Sequence, residues 1–284
     1  MTSDIPATRP VALTIAGSDS GGGAGIQADL KTFTLLGCFG ATAITAVTAQ
    51  NTRGVQAVAM LSPQILTQQI ASVASDLRVA ATKTGMLGTA EIVEAVAGAV
   101  ERFELSPVVV DPVMIAKSGD ALVDDEAVEA IVRRLLPLAM IVTPNRHEAA
   151  RLVGFDVATV WDASRAAEAV CARLGAKACV VKGIRSDESG RDAAVDVFFA
   201  REGESAGRPI PLIHAWHEAV PGNTHGSGCT FSAAVTAHLA LGAALPAALD
   251  SAKRFIDAAI ASPFRLGEGI SPVDHFAGAT IGSL

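Results

Sequence analysis

The chain has 284 residues, of which 50% are hydrophobic and 18% are charged, and its formal net charge is −7. The acidic balance and the lack of a basic cluster argue against a general nucleic-acid binder, so single lysines and helix N-termini are expected to hold any anionic substrate. No apolar run approaches the roughly 18 residues of a membrane span, and the polar N-terminus does not resemble a signal peptide. We therefore expect a cytoplasmic protein that binds neither nucleic acid nor membranes.

Short apolar runs alternate with longer amphipathic runs along the chain. Strands are predicted at 11–16, 43–48, 55–60, 108–110, 140–142, 178–181, 193–199 and near 214–216. Helices are predicted at 26–36, 90–103, 124–136, 163–174, 228–240 and 246–260, with another that begins after Asn145. This alternation predicts an α/β fold with a mostly parallel sheet, helices on both faces and ligands at the carboxyl ends of the strands. We expect a flexible N-terminus over residues 1–9 and one domain over residues 10–284.

The four cysteines, Cys38, Cys171, Cys179 and Cys229, form no C-x-x-C pair. A disulfide framework is not expected in a cytosolic chain of this size. Three of them are interpreted as small buried hydrophobic residues. Cys229 is the exception, because it stands at the start of a predicted helix, where a thiol tends to have a lowered pKa.

A first glycine cluster, Gly17 to Gly25, follows the first predicted strand and opens a helix. Residues 23–28 match the dinucleotide-binding pattern G-x-G-x-x-A, but no acidic residue ends the second strand, as a nicotinamide-binding site requires. A phosphate loop ending in Gly-Lys-Ser/Thr is also absent. A substrate-binding turn and a merely flexible turn both remain open, and an oxidoreductase is a distant alternative.

A second cluster, Asn223-Thr224-His225-Gly226-Ser227-Gly228-Cys229, precedes an apolar helix. Its glycines allow consecutive backbone N–H groups to point into one cavity, and the helix N-terminus adds a fixed positive end. Such donors stabilise the charge that develops on a transferring phosphoryl group. The turn therefore favours a kinase that uses ATP, with Cys229 as a candidate proton acceptor. The alternative is an ordinary helix start with a cysteine chosen for its small size.

With other segments in the same order, these clusters resemble the ribokinase superfamily and, within it, the hydroxymethylpyrimidine/phosphomethylpyrimidine kinases of thiamine biosynthesis. The resemblance covers about residues 11–276. The further matching segments are 12–19, 22–31, 48–52, 83–87, 111–114 with 116–119, 143–145 with Glu148, and 181–183. It implies a ribokinase-like fold with a small flap or lid, to which residues 117–119 would belong, and a homodimer.

The resemblance also implies roles for individual residues. The pyrimidine is expected against Gly17, Ala24, Asp29, Gln50, Met86 and Val113. The catalytic group is Cys229 with Gly226, Ser227 and Gly228. ATP is expected to contact Lys182, Thr224 and Asn145, and Mg²⁺ to lie near Glu148 and Asp111, held through water. The role of Gln50 also has a chemical reason. A 4-aminopyrimidine presents a hydrogen-bond donor beside an acceptor, and a glutamine amide can pair with both.

The implied activity has two steps. ATP phosphorylates 4-amino-5-hydroxymethyl-2-methylpyrimidine, and the monophosphate then takes a second phosphoryl group. A pyridoxal kinase of the same fold is the nearer alternative, since its substrate is also an aromatic ring with a hydroxymethyl group. The spacing of Asn145 and Glu148 also fits a helix capping box, and both roles are compatible.

Overall fold

The computed structural model describes residues 9–114, 123–186, 193–202, 207–215 and 224–281. The predicted flexible N-terminus (apart from Arg9), the expected flap at 117–119 and Asn223 lie outside these residues. The strands are β1 (Val11–Asp19), β2 (Phe39–Asn51), β3 (Gly54–Met60), β4 (Val79–Thr84), β5 (Val108–Val110), β6 (Ile141–Val142), β7 (Ala178–Ser186), β8 (Ala193–Ala200) and β9 (Ile210–Ala215).

These strands form one sheet in the order β3-β2-β1-β4-β5-β6-β7-β8-β9. The pairs from β2 to β7 are parallel, whereas β3, β8 and β9 join in antiparallel fashion at the two edges. The mostly parallel α/β sheet is therefore confirmed. The predicted strand at 55–60 is the antiparallel edge strand β3.

The helices are α1 (Gly25–Leu35), α2 (Pro63–Asp76), α3 (Ala90–Arg102), α4 (Asp125–Ala130), α5 (Arg146–Val153), α6 (Val160–Ala172), α7 (Ser227–Ala240), α8 (Leu245–Ala261) and α9 (His275–Ile281). The helix predicted over 124–136 begins as α4, continues as a π-helical turn over Ile131–Leu135 and ends in a short 3₁₀ turn. Three elements were not predicted: α2, β4 and α9. In β4, buried Thr82, Lys83 and Thr84 replace the apolar run that marks a buried strand.

The two faces of the sheet carry separate apolar cores. Along β5, Val108 and Val110 pack in the core that α2, α3 and α6 cover, whereas Val109 packs in the core that α7 and α8 cover. This follows from the two-residue period of a strand, which sends successive side chains to opposite faces. Helices therefore lie on both faces, as predicted, and the carboxyl ends of the parallel strands are left for a ligand.

Among the described helices, none combines the length and apolar character needed to cross a bilayer.

Candidate active site

A cavity of about 600 Å³ opens at the carboxyl ends of the strands, between the two glycine clusters. All but one of the residues that the sequence predicted for the site line it. They are Gly17, Ala24, Gln50, Met86, Asp111, Val113, Asn145, Glu148, Lys182, Thr224, Gly226, Ser227, Gly228 and Cys229. Asp29 is the exception. Tertiary folding thus brings together segments that are more than 200 residues apart in the sequence.

The second glycine cluster forms the turn that begins α7. Gly226 is the N-cap of this helix, has a left-handed φ of 77°, and no side chain caps the helix N-terminus. A Cβ atom at this position would collide with the carbonyl oxygen of Gly23, so the two glycine clusters are in direct contact. A side chain at 226 would separate them. The turn therefore presents a helix N-terminus to the cavity, which favours an anionic group.

Lys182 supplies a positive charge beside this turn. Its Nζ lies 3.3 Å from Asp111 Oδ1 and 5.7 Å from the centre of the Phe231 ring. A Cβ on Gly228 would lie 3.6 Å from the same Nζ atom. The ammonium group therefore lies close to the place where the helix N-terminus would receive a phosphate.

Asn145 and Glu148 form the predicted capping box at the start of α5. The Asn145 side chain accepts from the N–H groups of His147 and Glu148, and the Glu148 carboxylate accepts from the N–H of Asn145 at 2.8 Å. Burial, together with the nearby negative charge of Asp111, raises the pKa of Glu148 to about 7. Burial alone would raise the pKa of Asp111 too, but Lys182 and Lys83 outweigh it and lower that pKa.

Two carboxylates in one buried site repel each other, and a hydrated divalent cation between them would relieve this repulsion. Asp111 and Glu148 are therefore a donor set suited to Mg²⁺, which needs few protein ligands because it keeps several waters. The described residues contain no group of three or more His, Cys, Asp or Glu side chains arranged to hold a metal. The donor set thus fits a cation that also binds water or phosphate.

Cys229 corrects one sequence-based expectation. Burial raises the pKa of its thiol to about 11, and the positive charge of Lys83 offsets this only in part. The lowered pKa expected at a helix start is therefore wrong here, because the loss of solvation of the thiolate outweighs the favourable charge of Lys83. The other three cysteines are buried and free, as predicted.

Asp29 is the one predicted site residue that does not line the cavity. Its side chain is fully buried and lies next to Lys83, which does line the cavity. Its Oδ2 accepts from Lys83 Nζ at 2.9 Å and from the Thr14 hydroxyl at 2.6 Å. Burial alone would lower the pKa of Lys83, but the negative charge of Asp29 raises it, with smaller contributions from Cys229 and Asp111. Lys83 lines the cavity and is therefore the group through which Asp29 acts on the site.

The first glycine cluster is organised by Asp19. Its carboxylate accepts from the backbone N–H groups of Gly21, Gly23 and Ala24 at 2.8–3.0 Å, and it also contacts His225 Nε2 at 2.8 Å. A dinucleotide pyrophosphate would need these N–H groups, which the protein's own carboxylate already occupies. The geometry therefore argues against the oxidoreductase alternative.

Several cavity residues were not predicted from the sequence. Lys83 stands in a segment that carried the resemblance but had no assigned role, and His225 belongs to the second glycine cluster. The opposite wall comes from α7 and α8, through Phe231, Lys253, Ile256 and Ile260. The apolar spacing of α8 identified a helix, but only the sheet and α7 determine which of its side chains reach the cavity.

Replacing Lys83 with methionine is expected to destabilise the fold by about 3–5 kcal/mol, because it leaves the Asp29 carboxylate buried without a counter-charge. The double variant Lys83→Met/Asp29→Leu is the matched control and should recover most of the loss, since an apolar pair needs no charge compensation. Urea unfolding of the wild type and the variants measures both effects. Equal stability of the single variant and the wild type would show that the buried charges are not paired.

A model of the phosphomethylpyrimidine kinase family matches residues 19–274. The hydroxymethylpyrimidine/phosphomethylpyrimidine kinase of Rhizobium meliloti is 49% identical, over 94% of this chain and 97% of the relative. The thiamine biosynthesis bifunctional protein ThiED of Geobacter sulfurreducens is 44% identical, over 96% of this chain and 54% of that longer protein.

A solved structure of Bacillus subtilis pyridoxal kinase with ADP has a TM-score of 0.84 and 39% identity, and covers 95% of this chain and 98% of that one. The expected ribokinase-like fold is thereby confirmed. The family match and the relatives extend over nearly the whole chain, including every described element from β2 to α8. The chain therefore belongs to the phosphomethylpyrimidine kinase family and is a kinase.

Proposed function

We propose that the protein uses ATP to phosphorylate 4-amino-5-hydroxymethyl-2-methylpyrimidine and then its monophosphate, as a step of thiamine biosynthesis. The observation that carries this proposal is that one cavity contains both an amide suited to an aminopyrimidine, Gln50, and a phosphate-binding helix start, Gly226 to Cys229. The names of the relatives from R. meliloti and G. sulfurreducens support the same substrate and pathway.

The pyrimidine ring is proposed to lie between the first glycine cluster and Met86. The Met86 Cε atom would be only 3.1 Å from a Cβ on Gly17, so any larger residue at 17 would displace the methionine. Gly17, Ala24, Met86 and Val113 then form a small apolar slot, and Gln50 supplies the polar edge. A slot of this kind fits a flat ring with a methyl group.

The phosphates of ATP are proposed to lie at the N-terminus of α7. The backbone N–H group of Gly228 and the Lys182 ammonium would face the transferring group, with Ser227, Thr224 and Asn145 at its side. The N–H of Ser227 is already used, because it donates to the carbonyl oxygen of Thr224 at 3.2 Å. Preorganised donors of this kind stabilise the charge of the transition state without having to move. The wall formed by α7 and α8 is left for the nucleoside.

Mg²⁺ is proposed to bind near Asp111 and Glu148, largely through water and the ATP phosphates. It would supply charge neutralisation for the transferring group. Asp111 is already fixed by the hydroxyl groups of Thr143 and Ser232, at 3.2 and 3.0 Å. A fixed carboxylate places the cation more reproducibly than a mobile one.

The two steps differ in what happens to the proton. In the first, the hydroxymethyl oxygen forms a bond to the γ-phosphorus, the bond to ADP breaks, and the hydroxyl proton must leave. In the second, an oxygen of the monophosphate attacks the γ-phosphorus of another ATP, and this oxygen is already anionic. A proton acceptor is therefore needed only in the first step.

Cys229→Ala is expected to reduce the first phosphorylation by about 100-fold and to leave the second within about threefold, if the thiolate accepts the proton. Because the thiol pKa is about 11, the thiolate fraction should rise about tenfold per pH unit near neutrality. The wild-type kcat/KM for the first step should thus increase from pH 7 to 9, whereas that of the variant should not. Equal losses in both steps, or parallel pH profiles, would show that Cys229 has a structural role.

Substrate-dependent ATP consumption tests the substrate assignment. We expect turnover with the hydroxymethylpyrimidine and with its monophosphate, and a kcat/KM for pyridoxal at least tenfold lower, because the formyl oxygen of pyridoxal cannot donate to Gln50. Pyridoxal is included because the B. subtilis structure is named a pyridoxal kinase. A higher kcat/KM for pyridoxal, or no turnover of the monophosphate, would contradict the assignment.

We further propose one domain over residues 10–284, a cytoplasmic location and a homodimer. The nine-stranded sheet connects elements along the whole described chain, and the four free cysteines are compatible with a reducing compartment. The dimer is suggested by β3, an edge strand on which residues 56–60, Gln-Ala-Val-Ala-Met, are all exposed. Such an apolar edge is usually covered in the native assembly.

Sedimentation velocity should therefore show a particle of about twice the chain mass of 28.9 kDa. Val58→Lys, on β3, should shift the protein to the monomer, while Leu241→Lys, equally exposed but at the end of α7, should not. A wild-type monomer would refute the dimer.

A further inference from the structure

The Gln50 amide lies between two side chains of the cavity wall. As placed, its Oε1 is 3.3 Å from the Thr48 hydroxyl oxygen, and its Nε2 is 3.3 Å from His225 Nε2. The backbone of Gln50 is also fixed, because Ser20 exchanges two hydrogen bonds with its N–H and C=O groups. The two ends of an amide have the same shape, so their identity must be assigned from the neighbouring donors and acceptors.

The Thr48 hydroxyl group acts only as a hydrogen-bond acceptor towards Gln50. A hydroxyl group has one hydrogen, and Thr48 donates it to the carbonyl oxygen of Ser18 at 2.7 Å. The Thr48 oxygen can then only accept from the amide. The end of Gln50 nearest to Thr48 must therefore be the donor, the NH₂ group.

His225 offers Gln50 no hydrogen-bond acceptor at Nε2. Its Nε2 atom lies 2.8 Å from Asp19 Oδ2. Burial would raise the pKa of Asp19, but the bond from His225 and the backbone N–H groups of Ala24 and Gly21 lower it, so the carboxylate is ionised and accepts only. His225 Nε2 must carry a hydrogen to bind it and cannot accept another from the amide. The end of Gln50 nearest to His225 must therefore be the carbonyl oxygen.

Both neighbours thus require the amide to be turned by 180° from its placement, with Nε2 at Thr48 and Oε1 at His225. We propose that Thr48 and the Asp19–His225 pair are positioning residues that hold Gln50 in this direction and thereby set the ring specificity of the kinase. This inference rests on the proposed function and extends it, because it identifies the residues that decide how the substrate edge is recognised.

The fixed direction matches the edge of the aminopyrimidine. The remaining lone pair of Oε1 accepts from the 4-amino group, and the remaining hydrogen of Nε2 binds the adjacent ring nitrogen. The 4-amino group is next to the hydroxymethyl group on the ring, and His225 belongs to the same turn as Cys229. The substrate that pairs with this amide therefore directs its hydroxymethyl group towards the phosphate-binding turn.

The same direction disfavours pyridoxal. Its formyl oxygen would meet the amide oxygen, and two acceptors cannot form a hydrogen bond. An amide free to turn would present its NH₂ group instead and donate a hydrogen bond to the formyl oxygen. Specificity then depends on the residues that prevent rotation of the amide, Thr48 and His225, and not on Gln50 alone.

Thr48→Val tests the proposal, since it keeps the shape of the side chain and removes the acceptor. The selectivity ratio, kcat/KM for the hydroxymethylpyrimidine divided by kcat/KM for pyridoxal, is expected to fall about tenfold, with the KM for ATP unchanged. Thr48→Ser, which keeps the hydroxyl group, should restore the ratio to within about twofold of the wild type. Thr48→Ala replaces the valine variant if that protein does not fold.

An unchanged ratio in Thr48→Val, or an equal fall in Thr48→Ser, would overturn the positioning role. A second measurement uses an analogue of the hydroxymethylpyrimidine that lacks the 4-amino group. Removing the amino group should lower kcat/KM in both proteins. The fold decrease should be about ten times larger for the wild type than for Thr48→Val. Equal costs would overturn the proposal, and a wild type that does not phosphorylate the hydroxymethylpyrimidine would instead refute the proposed function on which it depends.

Discussion

The carboxylate of Asp19 connects the two glycine clusters of the site through hydrogen bonds. It accepts hydrogen bonds from three backbone N–H groups of the first glycine cluster and a fourth contact from His225 of the second. The clusters are also in direct contact where Gly226 meets Gly23. Because one charged group fixes both, the substrate-binding turn and the phosphate-binding turn keep a constant relative position, as a phosphoryl transfer requires.

The floor of the cavity is organised by charges that the solvent does not reach. Asp29 and Lys83 form a fully buried pair, and Lys83 is close enough to Cys229 and Asp111 to affect the pKa of both. Breaking such a pair is costly, so Lys83 keeps its position and charge while substrates exchange above it. The buried positive charge of Lys83 thus lowers the pKa of the Cys229 thiol, although burial outweighs it.

Recognition and transfer are therefore assigned to different groups in one cavity. In the proposed reaction, Gln50, directed by Thr48 and His225, would recognise the ring, whereas the start of α7 and Lys182 would bind the phosphates. The backbone donors would serve both phosphorylations, because the γ-phosphoryl group is the same in each. The thiol of Cys229 would serve in only one of them, and its high pKa would limit that role near neutral pH.

The sequence by itself determined what local patterns encode: the alternation of strands and helices, the capping box of Asn145 and Glu148, and the helix start at Gly226. Of the fifteen site residues that it predicted, fourteen line the cavity and Asp29 lies beneath it. Strand β4 was missed because buried Lys83 and its threonine neighbours do not resemble an apolar strand. Only the tertiary structure decided that Asp29 lies under the cavity, that burial raises the pKa of Cys229, and that the Gln50 amide lies between Thr48 and His225. Each of these depends on partners distant in sequence and on exclusion of water, which no local spacing of residues records.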